Sequence, residues 1–346
     1  MMGGAGLRAF LASAIIAWSI PSSQAADVSL GDFYKGKQIR LIIGSGAGET
    51  YDLYARLLAR HMSQHIPGDP TIVPQNQASA GGLTAINSLY NVVPRDGTVI
   101  ATGNRFIPMM PLLSIDGARF DPLEMSYIGS MNRETGVCLA MKTAGFHTLS
   151  DIKDREIIVG TVGAGAELTH FTSTLRLLLG WKMKLIAGYR TSNDINAAID
   201  KGELQGRCGV SYSGLKTTRP EWLKNDDVDI LLQLGLRKDK ELPDVPSLIE
   251  LATDTQDRQA LALMLAPAEM GRPFFAPPQI PAERLAALRT AFDASMEDPA
   301  LLHDAAKMRL DITPLSGTEM EALVIRSYEA PASIVERARL LAHNGE

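Results

Sequence analysis

Twice in this chain, more than a hundred residues apart, a β-rich run breaks off in a glycine loop that opens directly into a helix. The first run, Gln38-Ile39-Arg40-Leu41-Ile42-Ile43, stops at Gly44-Ser45-Gly46-Ala47-Gly48. Beyond it Tyr54, Leu57, Leu58, His61 and Met62 recur at i, i+3, i+4, i+7 and i+8, one face of a helix that Pro67-Gly68-Asp69-Pro70 ends. The second run, Glu156-Ile157-Ile158-Val159-Gly160, leads through Thr161-Val162-Gly163-Ala164-Gly165-Ala166 into a helical stretch from Glu167 to Leu179, closed by Gly180. Strands alternating with helices pack as sheets covered by helices. The pattern therefore predicts an α/β chain with mostly parallel sheets, and its recurrence predicts two similar lobes. Further strands are expected at Thr71-Ile72-Val73 and, after the Pro94-Arg95-Asp96-Gly97 turn, at Thr98-Val99-Ile100-Ala101. Four prolines from Pro273 to Pro281 precede a helix that sets Leu285, Leu288, Phe292 and Met296 on one face, with Pro281 expected at its first helical position.

With 346 residues, 45% of them hydrophobic, the chain has material for about two domains and for a core in each. Its formal charge of -5 argues against a nucleic-acid partner, which needs a basic face. The one long apolar run lies at the N-terminus, where Arg8 precedes Ala9 to Trp18, then Pro21, then Ser23-Gln24-Ala25. A positive start, a short apolar centre and small residues before the break read as a secretory signal peptide, residues 1–25, cleaved after Ala25. The run is too short for a bilayer span. The mature chain is thus expected outside the cytoplasm.

Familiar catalytic and cofactor patterns fail on single residues. Gly44-x-Gly46-x-Gly48 follows a strand, but a dinucleotide fingerprint needs glycine where Glu49 stands, and a carboxylate there repels a pyrophosphate. His61 and His65 have i, i+4 spacing without the glutamate of a zinc protease. Gly209-Val210-Ser211-Tyr212-Ser213 lacks the second glycine of a nucleophile elbow. What remains for the two glycine loops is backbone N–H groups at helix N-termini, able to hold a small anion or polar group in a cleft between the lobes. Simple structural turns are the alternative.

Ordered motifs now carry a resemblance. Gln38 to Arg60, with Asp52-Leu53-Tyr54-Ala55-Arg56-Leu57-Leu58, is similar to the opening of the Bug/TctC extracytoplasmic solute receptors, which serve tripartite tricarboxylate transporters. Asn76 to Gly82 resembles that family's Asn-x-x-Gly-Ala-Gly-Gly loop, and Pro94 to Thr98 its Pro-x-Asp-Gly-x turn. Tyr127-Ile128-Gly129 resembles the start of its second lobe, Gly163 to Ala166 its glycine loop, and Leu242-Pro243-Asp244-Val245-Pro246 its Leu-Pro-Asp-Val-Pro run. The resemblance implies a two-lobed periplasmic binding protein of type II, the Venus-flytrap form, with a hinged cleft. Lobe one would be residues 26–129 plus 236–346, and lobe two residues 130–235. It implies a monomeric, non-enzymatic receptor without cofactor or metal, which binds a small organic acid or amino-acid-like ligand and passes it to membrane permease subunits. A secreted hydrolase using the same cleft, or a sensor subunit presenting ligand to a membrane kinase, are the alternatives.

By the same resemblance the ligand-binding positions are Gly44, Ser45, Ala47, Gly48, Glu49 and Asp52 on the first loop and helix, Ala80, Gly81 and Arg105 beside them, and Ser130 and Asn132 where the lobes join. In lobe two they are Thr161, Gly163, Ala164, Gly165 and Ala166, then Tyr189, Arg190 and Thr191. This chain departs from the family at Ala47, Glu49, Thr50, Ala166, Arg190 and Thr191. Arg190 is expected to meet an anionic group of the ligand, with help from the N–H groups of Gly163 to Ala166. Glu49 would repel a second carboxylate, which favours a ligand with one carboxylate and a cationic or hydroxyl-rich end. The other reading has Glu49 capping its own helix and Arg190 in solvent. Cys138 and Cys208, both in short apolar runs of lobe two, are expected to form one disulfide in an oxidising compartment, which neighbouring strands would permit; two buried free thiols are the alternative.

Overall fold

The computed structural model describes residues 29–163 and 166–343. The expected signal peptide, and Ala164 and Gly165 of the second glycine loop, lie outside these residues. Among the described residues eleven strands form two sheets: β1 (Gln38–Ile43), β2 (Thr71–Asn76), β3 (Val99–Thr102), β4 (Ser126–Ser130), β5 (Gly136–Met141), β6 (Ile157–Gly160), β7 (Met183–Ile186), β8 (Gly206–Ser211), β9 (Val228–Leu234), β10 (Pro273–Ala276) and β11 (Leu315–Ser316). The first sheet runs β11-β4-β10-β3-β1-β2 and the second β7-β6-β8-β5-β9. Each holds one of the two strand–glycine loop–helix units, with β1 flanked in parallel by β2 and β3, and β6 flanked in parallel by β7 and β8.

The expectation of mostly parallel sheets is corrected. β10 runs antiparallel to both β3 and β4, β11 antiparallel to β4, and β5 antiparallel to both β8 and β9. The reversals come where the chain passes between the sheets. It leaves the first after β4, enters the second at β5 against the direction of β8, and comes back after β9 to insert β10 between β3 and β4. A βαβ reading of local pattern contains no information on such returns. Pro281 also sits one position earlier than expected, as the N-cap residue of the helix Ala282–Glu297. That helix buries Leu288, Phe292 and Met296 as predicted, and the Phe292 ring fills the space over Gly129, where a Cβ would lie 2.2 Å from it.

One apolar cluster packs beneath β1 and the helix Thr50–Met62, another lies on one face of the second sheet, and a third runs continuously through both lobes. The C-terminal helix Ala332–His343 belongs to that shared core. It receives a hydrogen bond from Thr174 Oγ1 at the Leu341 carbonyl (3.1 Å) and gives one from Arg339 Nε to the Leu112 carbonyl (2.9 Å), so it touches both lobes. In the second sheet Cys138 on β5 is bonded to Cys208 on β8, closing a separation of 70 residues. Among the described residues no helix is long and apolar enough to cross a membrane.

Candidate functional site

The parallel strands point their C-terminal ends at the space between the sheets, and the loops there form its walls. After β1 the loop to Glu49 delivers the first turn of the helix Thr50–Met62, and after β3 the chain supplies Asn104 and Arg105. From the other lobe come Glu167 at the start of the helix Glu167–Leu179, then Ser192, Asn193 and Asn196 on the helix Ser192–Asp200, and Arg207 on β8. Arg272, just before β10, closes the inner end. A second, outer pocket continues past Ser45, Gly46, Ser79 and Gly81 to Arg190 and Thr191. Three helix N-termini thus border the cleft, a field that favours an anion.

The lobes touch across this space. Ser192 N–H of lobe two donates to Glu49 Oε1 of lobe one at 2.6 Å, and Arg105 Nη2 meets Glu167 Oε2 at 2.7 Å. Gly46 lies so close to Thr191 that a Cβ would stand 2.8 Å from its methyl group. The cleft is closed. Glu49 occupies the N-cap position of its helix, yet its side chain makes no cap bond and reaches across the cleft instead.

Six charged side chains are buried around it. Arg105 is paired with Glu167; burial works against the arginine's charge, and Glu167, Tyr51 and Glu134 together more than restore it, while burial raises the Glu167 carboxyl. Arg272, 1% exposed, is paired with Glu134 at 3.2 Å, donates to Ser211 Oγ at 2.7 Å and packs over the rings of Tyr51 and Tyr54. Arg207 and Glu49 are the two without an ion-pair partner among the described residues. Arg207, 8% exposed, donates to Asn196 Oδ1 and weakly to Ser192 Oγ (3.5 Å), while its Nε has no partner. Burial pushes its pKa down to about 10, with Glu49 opposing the shift. Burial likewise pushes the Glu49 carboxyl up, against the N–H groups of Ser192 and Gly46 and the charge of Arg207.

Of the positions singled out in sequence, Gly44, Ser45, Glu49, Gly81, Arg105, Arg190 and Thr191 line one or other pocket. Arg190 is exposed at the outer pocket. Ala47 and Gly48 are exposed and Ala80 sits beside Gly163, 3.7 Å from where that residue's Cβ would be. Asp52 has a different task. Its carboxylate accepts from Gly48 N, Arg56 Nε and Asn76 Nδ2, each at 2.8 Å, bracing the loop from behind; burial raises its pKa, and these bonds outweigh that and hold it low. Ser130 and Asn132 are wholly buried where the chain leaves the first sheet, Ser130 Oγ donating to the Asn132 carbonyl and accepting from Arg272 N. Thr161 is bonded to Thr169, Ala166 is the N-cap residue of its helix, and the Tyr189 ring packs over Gly160. The sequence reading missed Arg207, Asn104, Glu167, Asn196 and Arg272. For Arg207 a signal was present: an arginine between Gly206 and Cys208, inside a run otherwise fit for a buried strand.

No protein-family model matches the chain. A UPF0065 protein of Bordetella bronchiseptica is 23% identical over 298 residues, covering 84% of this chain and 81% of that protein. Among solved structures, the periplasmic binding protein BugD aligns with a TM-score of 0.70 at 18% identity, over 90% of this chain and 99% of its own. MatC from Rhodopseudomonas palustris, solved with bound malate, aligns with a TM-score of 0.67 at 16% identity, over 86% and 99%. The chain therefore has the two-lobed fold of the Bug/TctC solute-binding proteins and resembles them along most of its length.

Proposed function

We propose that the chain is an exported receptor that captures a small carboxylate-containing compound between its lobes and presents the closed form to the membrane permease of a tripartite transporter. The observation that carries this reading is the cleft itself: two lobes in contact through Ser192–Glu49 and Arg105–Glu167 around a cavity lined by three arginines. Such a site binds by enclosure. Closing removes water, which strengthens each charged contact, and a ligand that prefers the closed form shifts the open–closed balance toward it. The likeness to MatC, solved with malate, supports an organic acid as ligand. The signal-peptide pattern read in the N-terminal sequence and the likeness to periplasmic proteins support a periplasmic location.

Native mass spectrometry of the purified protein identifies any ligand carried with it. Small-angle scattering with a panel of organic and amino acids then measures compaction. A binding acid is expected to reduce the radius of gyration and raise the melting temperature. A panel in which no acid does either overturns the receptor reading, and chemical turnover of a bound acid favours the hydrolase.

A further inference from the structure

Two of the three cleft arginines are already neutralised. Arg105 has Glu167 at 2.7 Å and Arg272 has Glu134 at 3.2 Å. A ligand carboxylate gains little by competing for them, because it would have to displace a buried partner. Arg207 is different: it lines the same cavity, it is nearly buried, and no carboxylate among the described residues lies within ion-pair distance. Its neighbours Asn196 and Ser192 are neutral, and one of its N–H groups has no acceptor. A guanidinium presents its donors in a fork that matches a carboxylate, and buried cations are costly until an anion joins them. On the facing lobe Glu49 is the mirror case, a buried carboxylate met by backbone N–H groups. Its other oxygen can accept further bonds, so it rewards a donor and repels an anion.

Resting on the receptor reading above, we propose that Arg207 anchors the ligand's carboxylate while Glu49 selects an opposite end that donates hydrogen bonds. The preferred ligand class is then a short hydroxy acid or amino acid with a single carboxylate, over a dicarboxylate. This assigns the anchor to the nearly buried Arg207 in place of Arg190, which is exposed at the outer pocket.

Calorimetric titration of the full mature chain with L-lactate, L-alanine, succinate and L-malate tests this. Lactate or alanine is expected to bind more tightly than succinate or malate. Arg207→Gln, which keeps a side-chain partner for Asn196, is expected to weaken the preferred acid about tenfold or more; Arg207→Lys, which keeps the charge but loses the fork, should fall between. Glu49→Gln should raise the affinity for succinate relative to lactate. Near-UV circular dichroism confirms that each variant is folded, and the preference of the unmodified protein is decisive even if one is not. Tighter binding of the dicarboxylates, or binding that Arg207→Gln leaves unchanged, overturns the proposal and leaves the receptor standing. Failure of the unmodified protein to bind any of the four, with no compaction by the wider panel, overturns both.

Discussion

Gly44 and Gly82 lie where two loops of the first lobe cross. A Cβ on Gly44 would stand 2.8 Å from Gly82 Cα and 3.2 Å from the Thr102 carbonyl oxygen, and one on Gly82 would stand 2.8 Å from the Gly44 carbonyl oxygen. All of these neighbours are backbone, so no rotamer change relieves the clash, and Gly82 also holds a φ of 93° that side chains rarely adopt. The crossing fixes the loop that carries Glu49 to the cleft. Gly44→Ala is expected to cost about 1–3 kcal/mol as overpacking and to weaken ligand binding as the loop shifts. Urea denaturation measures the first, and a midpoint equal to the unmodified protein's would show that the loops yield freely. Gly36, by contrast, has open space around its would-be Cβ, and only its φ of 70° ties it to glycine.

The strands, their following loops and the main amphipathic helices follow directly from local pattern. Ile39, Leu41 and Ile43 alternate into the core with Tyr54, Leu57, Leu58 and Met62 packed over them, all buried. What local pattern does not encode is how separated strands meet. β10 is a four-residue strand in a proline-rich stretch, Pro273-Phe274-Phe275-Ala276, and only its neighbours β3 and β4 make it central. The site divides the same way. Glycine loops are readable because a turn needs glycine at fixed positions, whereas Arg207 reaches the cleft only because β8 happens to sit between β6 and β5. That same adjacency brings Cys138 to Cys208, although a register shift interrupts the pairing of β5 and β8 between Val137 and Leu139. A bridge closing a separation of 70 residues is expected to stabilise by about 4 kcal/mol on the loop-entropy account. Cys138→Ser with Cys208→Ser should lower the urea midpoint accordingly. Because the bridge joins the strand that bears Arg207 to its neighbour, ligand affinity should also fall. A double variant as stable as the unmodified protein would mean that the strand pairing alone holds this sheet.

Closure of the whole molecule draws one carboxylate out of water without a direct counter-ion. Closure brings Glu167 to Arg105 and Arg272 lies beside Glu134, so the cleft carboxylate without an ion-pair partner among the described residues is Glu49, which closure sets against Ser192, with Arg207 beyond ion-pair reach; burial raises the Glu167 carboxyl too, against the charge of Arg105. Burial raises the Glu49 pKa in this form above that of an ordinary carboxyl, the value a wet, open cleft would leave it. A carboxyl whose pKa rises on closing takes up a proton as it closes, so its contribution to closure is largest below the open-form value and is lost as pH rises through the closed-form value. Acidification from neutral pH is therefore expected to compact the ligand-free protein. Small-angle scattering of the disulfide-intact chain measures this as a falling radius of gyration. Glu49→Gln, neutral at every pH, should be more compact near neutrality than the unmodified protein, and its radius should respond less to pH, the remaining response coming from Glu167. Binding of the single-carboxylate acids should weaken with acid even as the lobes close, because a protonated Glu49 no longer offers a full charge to a donating ligand. A radius that grows on acidification, or an equal pH response in Glu49→Gln, would place the control of closure on other groups.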